Sequence, residues 1–311
     1  MKKEIFNGII NVYKEKDYTS HDVVAIVRKT LSSVTGEKAK VGHTGTLDPN
    51  ATGVLPICVG RGTKFVDMIL NSYKVYKCEL VLGYETDTLD VTGKVIKKTD
   101  KILSKSEIEC VINSFVGEYE QVPPMYSAIK INGQKMYDLA RKGEVVDIKP
   151  RLVEIYSIDI HRIDEENRKA FFTVKCKKGT YIRSLCRDIG DKLGVYGTMG
   201  DLERLETSGF TKENAIFLKD LKNATTVEEL NKNIVSVENI LQNYDSAFVD
   251  VSAKKAIVNG NKIDKKFITS KDYINGKIYK MYLENSLGKF IGLYLYKDSV
   301  FIPEILYDIE V

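Results

Sequence analysis

The stretch Gly42-His43-Thr44-Gly45-Thr46-Leu47-Asp48-Pro49-Asn50-Ala51-Thr52-Gly53-Val54-Leu55 constrains the chain more than any other part of its 311 residues. One carboxylate, Asp48, stands among three glycines, one proline and three threonines. Glycine reaches positive φ and lets another backbone or a ligand come close, and Pro49 fixes the backbone after the acid. No apolar period of two or 3.6 runs through these residues, so they read as a shaped loop rather than a strand or helix. The loop leads into the apolar run Val54-Leu55-Pro56-Ile57-Cys58-Val59, which suits an acid at the floor of a cleft. Taken by itself, an Asp before Pro has a plainer employment, capping a turn through its own backbone.

Around this loop the apolar spacing switches between strand and helix. Residues 6–13 read as a strand about Ile9, Ile10 and Val12. Thr19 or Ser20 caps a helix with Asp22 in its first turn and Val23, Val24, Val27 and Leu31 as its buried stripe. Residues 73–82 form a second strand, ended by Gly83. Ser104-Lys105-Ser106-Glu107 is a capping box before Ile108, Val111, Ile112 and Phe115, a helix ending near Gly117. Residues 151–163 and 170–177 read as strands joined by the charged turn Asp164-Glu165-Glu166-Asn167. Residues 181–193 read as a helix stopped by Gly194. There is no regular βαβ alternation, so the class is α+β with a mixed sheet. Residues 235–241 read as helical. From about Asp245 to Val311 the chain becomes short apolar and aromatic runs cut by Asn259-Gly260, Asn275-Gly276 and Leu287-Gly288, a small all-β domain with hairpin turns. The expected division is residues 1–240 and 245–311.

Composition excludes some classes. Forty-seven basic and 43 acidic side chains give a net charge of +4, mildly favourable for a polyanion. The start, Met1-Lys2-Lys3-Glu4, lacks an apolar core of a leader, and no run reaches membrane-spanning length, so the protein is expected in the cytoplasm, away from membranes. Five scattered cysteines without a C-x-x-C pair argue against a disulfide framework or a zinc site. His21, His43 and His161 lie far apart, so metal catalysis has no local support.

The loop string resembles the G-H-T-G-x-L-D-P-x-A-T-G signature of the TruB family, bacterial tRNA pseudouridine synthases that modify a T-arm uridine. The resemblance implies a pseudouridine synthase catalytic domain followed by a small PUA-like RNA-binding domain. It makes Asp48 the catalytic carboxylate, acting on a flipped-out uridine at position 55 of the T loop. Turning uridine into its C-glycoside needs no metal or redox cofactor, and a carboxylate can serve as nucleophile or base. Such a carboxylate must stay charged inside a closed site, which calls for a cation. Arg183, in Gly179-Thr180-Tyr181-Ile182-Arg183, is similar to the family arginine that pairs with the aspartate; without the likeness it reads as one more solvated arginine.

Tyr76, by its distance from Leu82-Gly83, matches the family's base-stacking tyrosine, whereas Tyr73 falls on the opposite strand face. Asp90, in Thr86-Asp87-Thr88-Leu89-Asp90, reads as a loop-fixing acid, and Leu202 as an apolar residue of the pocket. Arg61, Lys64 and Lys130 suit backbone phosphates, and His43 is implied to help open the folded T loop by stacking. Two departures stand out. Lys14-Glu15-Lys16-Asp17-Tyr18-Thr19-Ser20 replaces the family's K-P-x-G-x-T-S, and Glu203 stands where arginine is common. Residues from Asp245 carry ten lysines, no arginine and nine acids, a weak electrostatic footprint for the implied RNA contact.

The implied partner is the T arm of tRNA, bound by a monomer with no guide RNA, protein partner or cofactor. Two other classes compete: an RNA-binding protein without turnover, and a metal-dependent hydrolase built on Asp48, Asp87 and Asp90.

Overall fold

The computed structural model describes residues 6–127, 129–131, 133–136, 148–269, 272–284 and 288–309. The first strand, β1 (Gly8–Lys14), runs into helix α1 (Ser20–Thr35). Thr19 caps that helix in a reciprocal box with Asp22, and Val23, Val24, Val27 and Leu31 face the core. Next come β2 (Val41–His43), β3 (Thr52–Val59), a 3-10 turn (Gly60–Phe65), helix α2 (Val66–Leu70) and β4 (Lys74–Leu82). Helix α3 (Lys105–Asn113) starts at the Ser104 capping box and precedes β5 (Gly117–Gln121). The long strands β6 (Arg151–Asp164) and β7 (Lys169–Cys176) lead to helix α4 (Ile182–Leu193), β8 (Gly197–Thr207) and β9 (Ile216–Phe217).

These nine strands and two short ones, Phe210–Thr211 beside β8 and Ile234–Val235 beside β1, form an eleven-stranded sheet with the order β9-β1-β3-β8-β4-β7-β6-β5, and β2 pairs β3. The β1–β9 and β3–β8 pairs are parallel and the others on this path antiparallel, so the sheet is mixed and the class α+β. One apolar cluster joins the sheet to α1, α3 and α4 through residues such as Val27, Ile57, Ile112, Phe172 and Leu185.

The second sheet is β10 (Ser246–Val249), β11 (Ile263–Asp264), β12 (Ile278–Leu283), β13 (Lys289–Lys297) and β14 (Val300–Leu306), ordered β10-β12-β13-β14-β11. It has its own core about Ile257, Met281, Tyr294 and Phe301. A third cluster bridges the two sheets: Phe65 meets Phe290 and Tyr307 with ring centroids 6.5 and 5.8 Å apart, beside Val237 and Leu241.

Four expectations change. The loop read over residues 42–55 is shorter, because β2 runs to His43 and β3 begins at Thr52. Strand β3 is buried on both faces, so it lacks the alternation that marks a half-exposed strand. The helix over 235–241 is a strand pair, Ile234–Val235 against β1, followed by the 3-10 turn Val237–Leu241. Asn259-Gly260 closes the five-residue helix Lys254–Val258, and Asn275-Gly276 enters β12 without joining paired strands. The two-residue hairpin joins β13 to β14 at Asp298 and Ser299, with φ of 50° and 65°, the left-handed pair that a twisted ribbon requires. Leu287 lies outside the described residues.

Strand β8 positions the site and was not anticipated. It lies between β3 and β4, with Arg204 opposite both Gly53 and Tyr76. Gly53, at φ 110°, permits this approach, since a Cβ there would stand 2.2 Å from the Arg204 carbonyl oxygen.

Candidate active site

The turn bearing Asp48 is fastened from several sides. Thr44 donates its N–H and its hydroxyl to Pro56 O at 3.2 and 3.0 Å. Ser20, first residue of α1, accepts the Leu47 N–H at 2.9 Å and donates to Leu47 O at 3.2 Å. Pro49 O accepts the Asp17 N–H and the Lys14 ammonium, each at 3.0 Å. From β8 the buried Arg204 donates Nε to Val54 O at 2.7 Å and Nη2 to Gly45 O at 3.2 Å.

Held this way, Asp48 meets Arg183 side-on. Arg183 Nε lies 2.9 Å from Oδ2 and Nη2 donates to Oδ1 at 3.2 Å. The guanidinium is fixed in turn by Thr88 O at 3.2 Å and Tyr126 O at 2.8 Å. Arg183 is 7% exposed and Asp48 36%, so the pair's open side is the carboxylate, facing the cavity. A two-point contact of this kind holds the carboxylate's plane as well as its charge. Burial pushes the Asp48 carboxyl above its ordinary 3.8; the Arg183 charge opposes the rise and the Asp90 charge adds to it.

The cavity is about 600 Å³ and is lined by Asp48, Tyr76, Tyr181, Arg183 and Leu202, among others. Tyr76 is 9% exposed, and burial raises its hydroxyl pKa against the pull of Arg204, so it stands as a neutral phenol. Among the described residues that line the cavity Asp48 is the sole acid, beside Lys74, Lys177, Lys178, Arg183 and Arg204. Such a wall attracts a polyanion and leaves one carboxylate for chemistry.

The other expected residues separate into groups. Asp90 accepts at Oδ1 from Thr88 Oγ1 at 2.9 Å and the Thr92 N–H at 3.0 Å, fixing the turn whose carbonyl holds Arg183. His43 ends β2 and accepts the Gly45 N–H at Nδ1 at 3.3 Å; burial, then His21 and Arg204, lower its pKa and keep it neutral. His21, 5.3 Å from His43 in an edge-on ring contact, is the one of the two that lines the cavity. Arg61 and Lys64 lie away from the cavity and engage the C-terminal segment, Arg61 pairing with Asp308 at 2.6 Å and Lys64 donating to Leu306 O at 2.6 Å. Lys130 pairs in a two-residue strand with Gln134–Lys135, and its side chain lies outside what is described.

Sequence reasoning missed Arg204, Lys14 and Lys74. Lys14 and Lys74 are buried on carbonyl oxygens, Lys74 on Leu70 O and Ser72 O at 2.7 Å each, and burial lowers both ammonium pKa values to about 8. The signal for Arg204 was a charged residue breaking the apolar alternation of a strand. Among the described residues no group of three His, Cys, Asp or Glu could hold a metal, and no described helix is long and apolar enough to cross a membrane.

Residues 29–182 match the family model described as TruB family pseudouridylate synthase (N terminal domain). Residues 183–248 match the one described as tRNA pseudouridylate synthase B C-terminal domain. The chain is 49% identical over 288 residues to tRNA pseudouridine synthase B of Clostridium novyi, covering 92% of this chain and 94% of that one. To the protein of the same name from Clostridium tetani it is 47% identical over 289 residues, covering 92% and 94%. Among solved structures, a chain in the crystal structure of a Cbf5-Nop10-Gar1 complex superposes with a TM-score of 0.72 at 25% identity, over 98% of this chain and 86% of that one.

Proposed function

The chain belongs to the TruB family of pseudouridylate synthases, which makes it an isomerase of uridine in tRNA, and we propose that its target is position 55 of the T loop, with Asp48 as the catalytic carboxylate. The observation that carries this reading is that Asp48, the sole acid among the described residues lining a basic cavity, is clasped side-on by Arg183 and shares that cavity with Tyr76. The uridine is extruded from the folded T loop, and its base stacks on Tyr76 with Leu202 against it. The ionised Asp48 then acts as nucleophile or base while the glycosidic bond breaks, the uracil turns and C5 joins the sugar. Every atom of the base is kept, so the isomerisation balances without a second reactant.

Asp90 and Thr88 hold the Arg183 side of the pair, and His43, neutral behind His21, supports the turn. The protein works as a monomer in the cytoplasm, without guide RNA or protein partner, on the T arm of tRNA. Residues 1–240 do the chemistry, and residues 245–311 act as a PUA-like grip on the rest of the tRNA.

Mass analysis of a T-arm hairpin after incubation with the purified protein tests the reading. Asp48→Asn should abolish turnover and leave RNA binding within about tenfold, since the amide keeps the shape and loses the nucleophile. Arg183→Lys should lose at least about a hundredfold in kcat, because an ammonium cannot hold both carboxylate oxygens. Substantial turnover by Asp48→Asn would place the chemistry elsewhere. The active form is ionised Asp48, so activity should fall with acid at a pH above the ordinary carboxyl value of 3.8.

A further inference from the structure

Helix α4 begins without a side-chain cap, for Tyr181 at its N-cap offers no acceptor to the exposed N–H groups. A residue of the edge strand β5 ties this end down instead. Gln121, 1% exposed, accepts the Tyr181 N–H at Oε1 at 2.8 Å and donates from Nε2 to Tyr181 O at 3.1 Å. One planar amide thus grips both polar groups of the residue two before Arg183. The same Nε2 donates to the Tyr119 hydroxyl, and Tyr119 is packed edge-on against Phe115 at 5.2 Å, so the amide's orientation is fixed as well.

The chain leaving Gln121 continues the grip. Val122 O accepts Ser184 Oγ at 2.8 Å and Arg187 Nη2 at 3.0 Å, and Tyr126 O accepts Arg183 Nη2 at 2.8 Å. The first turn of α4 is therefore held at its start, on its flank and at the guanidinium itself. Gln121 does not line the cavity.

We propose that Gln121 is a positioning residue: it sets the angle at which α4 presents Arg183 to Asp48, and through that the rate of the chemical step. This rests on the roles given above to Asp48 and Arg183. Gln121→Met keeps the length and loses all three hydrogen bonds. It should lower kcat on the T-arm hairpin by about tenfold to a hundredfold with KM within about twofold, the size expected of a displaced catalytic group.

Gln121→Glu supplies the chemical control. When protonated, its carboxyl accepts the Tyr181 N–H and still donates one hydrogen bond; when ionised, it can only accept and faces the Tyr181 carbonyl. Its kcat relative to wild type should therefore recover as pH falls from about 8 to about 6, because burial raises a carboxyl pKa, and Gln121→Met should show no such recovery.

An RNA-free readout separates this inference from the assigned reaction. In the free protein the Arg183 Nε–H, bonded to Asp48, should exchange with solvent at least about tenfold faster in Gln121→Met, with slowing restored in Gln121→Glu at low pH. Unchanged exchange in Gln121→Met, or a Gln121→Glu/wild-type kcat ratio flat with pH, overturns the proposal. An inactive wild-type protein would overturn the assigned reaction, and the exchange measurement would still decide the role of Gln121.

Discussion

Lys14 shows most directly how single residues near the cavity trade stability for position. It is fully buried, bonded to Glu15 O and Pro49 O at 3.0 Å each, and burial lowers its pKa from 10.5 to about 8. Between about pH 8 and 10.5 the unfolded chain therefore holds this proton more tightly than the folded one, so folding stability gains as pH rises through that window; at neutral pH the cost of burying the charge is present in full. Lys14→Met removes the titration. Urea unfolding of the two proteins should show the wild type gaining on the variant by about 2 kcal/mol between about pH 7.5 and 10. Parallel stabilities across that range would mean Lys14 keeps its ordinary pKa in the fold. The variant should also turn over more slowly, since the Pro49 carbonyl loses its anchor beside Asp48. Asp17 illustrates a different economy. It stands where the family motif has glycine, yet it adopts φ 70° and gives its N–H to Pro49 O, a conformation Asp tolerates better than most residues. The loop's backbone role thus survives the departure that the sequence made conspicuous.

At the scale of elements, the packing of α4 on β8 decides where Arg183 sits. Gly190 in α4 faces Gly197 at the start of β8, and a Cβ on Gly190 would stand 2.1 Å from Gly197 N and 2.2 Å from Tyr196 C. Helix propensity alone favours alanine there by about 1 kcal/mol. Overpacking against backbone, which cannot rotate away as a side chain can, costs about 1–3 kcal/mol or more. The second effect wins, so Gly190→Ala should lower the unfolding midpoint and reduce kcat together, read by denaturant unfolding and hairpin turnover. A stabilised, fully active variant would show that α4 shifts freely on the sheet. The same interface explains what the sequence could and could not reveal. Helices α1, α3 and α4 and strands β1, β4, β6 and β7 were legible, because each carries a cap, a period or a closing glycine. Strand β8 was not, since its inward positions include a buried arginine and its register is broken by bulges between Met199 and Leu202 and between Arg204 and Glu206. Asp48, Tyr76 and Arg183 stood out through a family likeness and the cavity unites them; Arg204 matters through a backbone contact 150 residues away, Gln121 through one 60 residues away and His21 through the ring of His43 on another element, none of which a local pattern encodes.

The whole molecule places its second sheet at a distance from the chemistry. Asp48 precedes β3, and the 3-10 turn that receives the C-terminal sheet follows it, so the eight residues of β3 stand between them. At roughly 3.3 Å per residue that is about 25 Å, too far for β13 or β14 to shape the cavity by this route and well suited to reaching another part of a bound tRNA. The joint itself is apolar: Phe290 packs on Phe65, Tyr282 and Tyr307, and Lys64 and Arg61 latch Leu306 O and Asp308 around it. Deleting the whole sheet would expose Phe65, so a lost activity there would say little about reach. Phe290→Ala is the cleaner perturbation, with a cavity cost of about 3–5 kcal/mol falling on the joint while the core about Tyr294 and Phe301 stays intact. The expected result is a thermal transition that broadens or divides, kcat on the T-arm hairpin within about threefold of wild type, and a KM for full-length tRNA raised by about tenfold, as a tethered second contact loses its fixed geometry. Equal losses of kcat on hairpin and tRNA would mean instead that the sheet acts through β3 on the Asp48 turn, and the view of residues 245–311 as a remote grip would have to be replaced by one in which they help build the cavity.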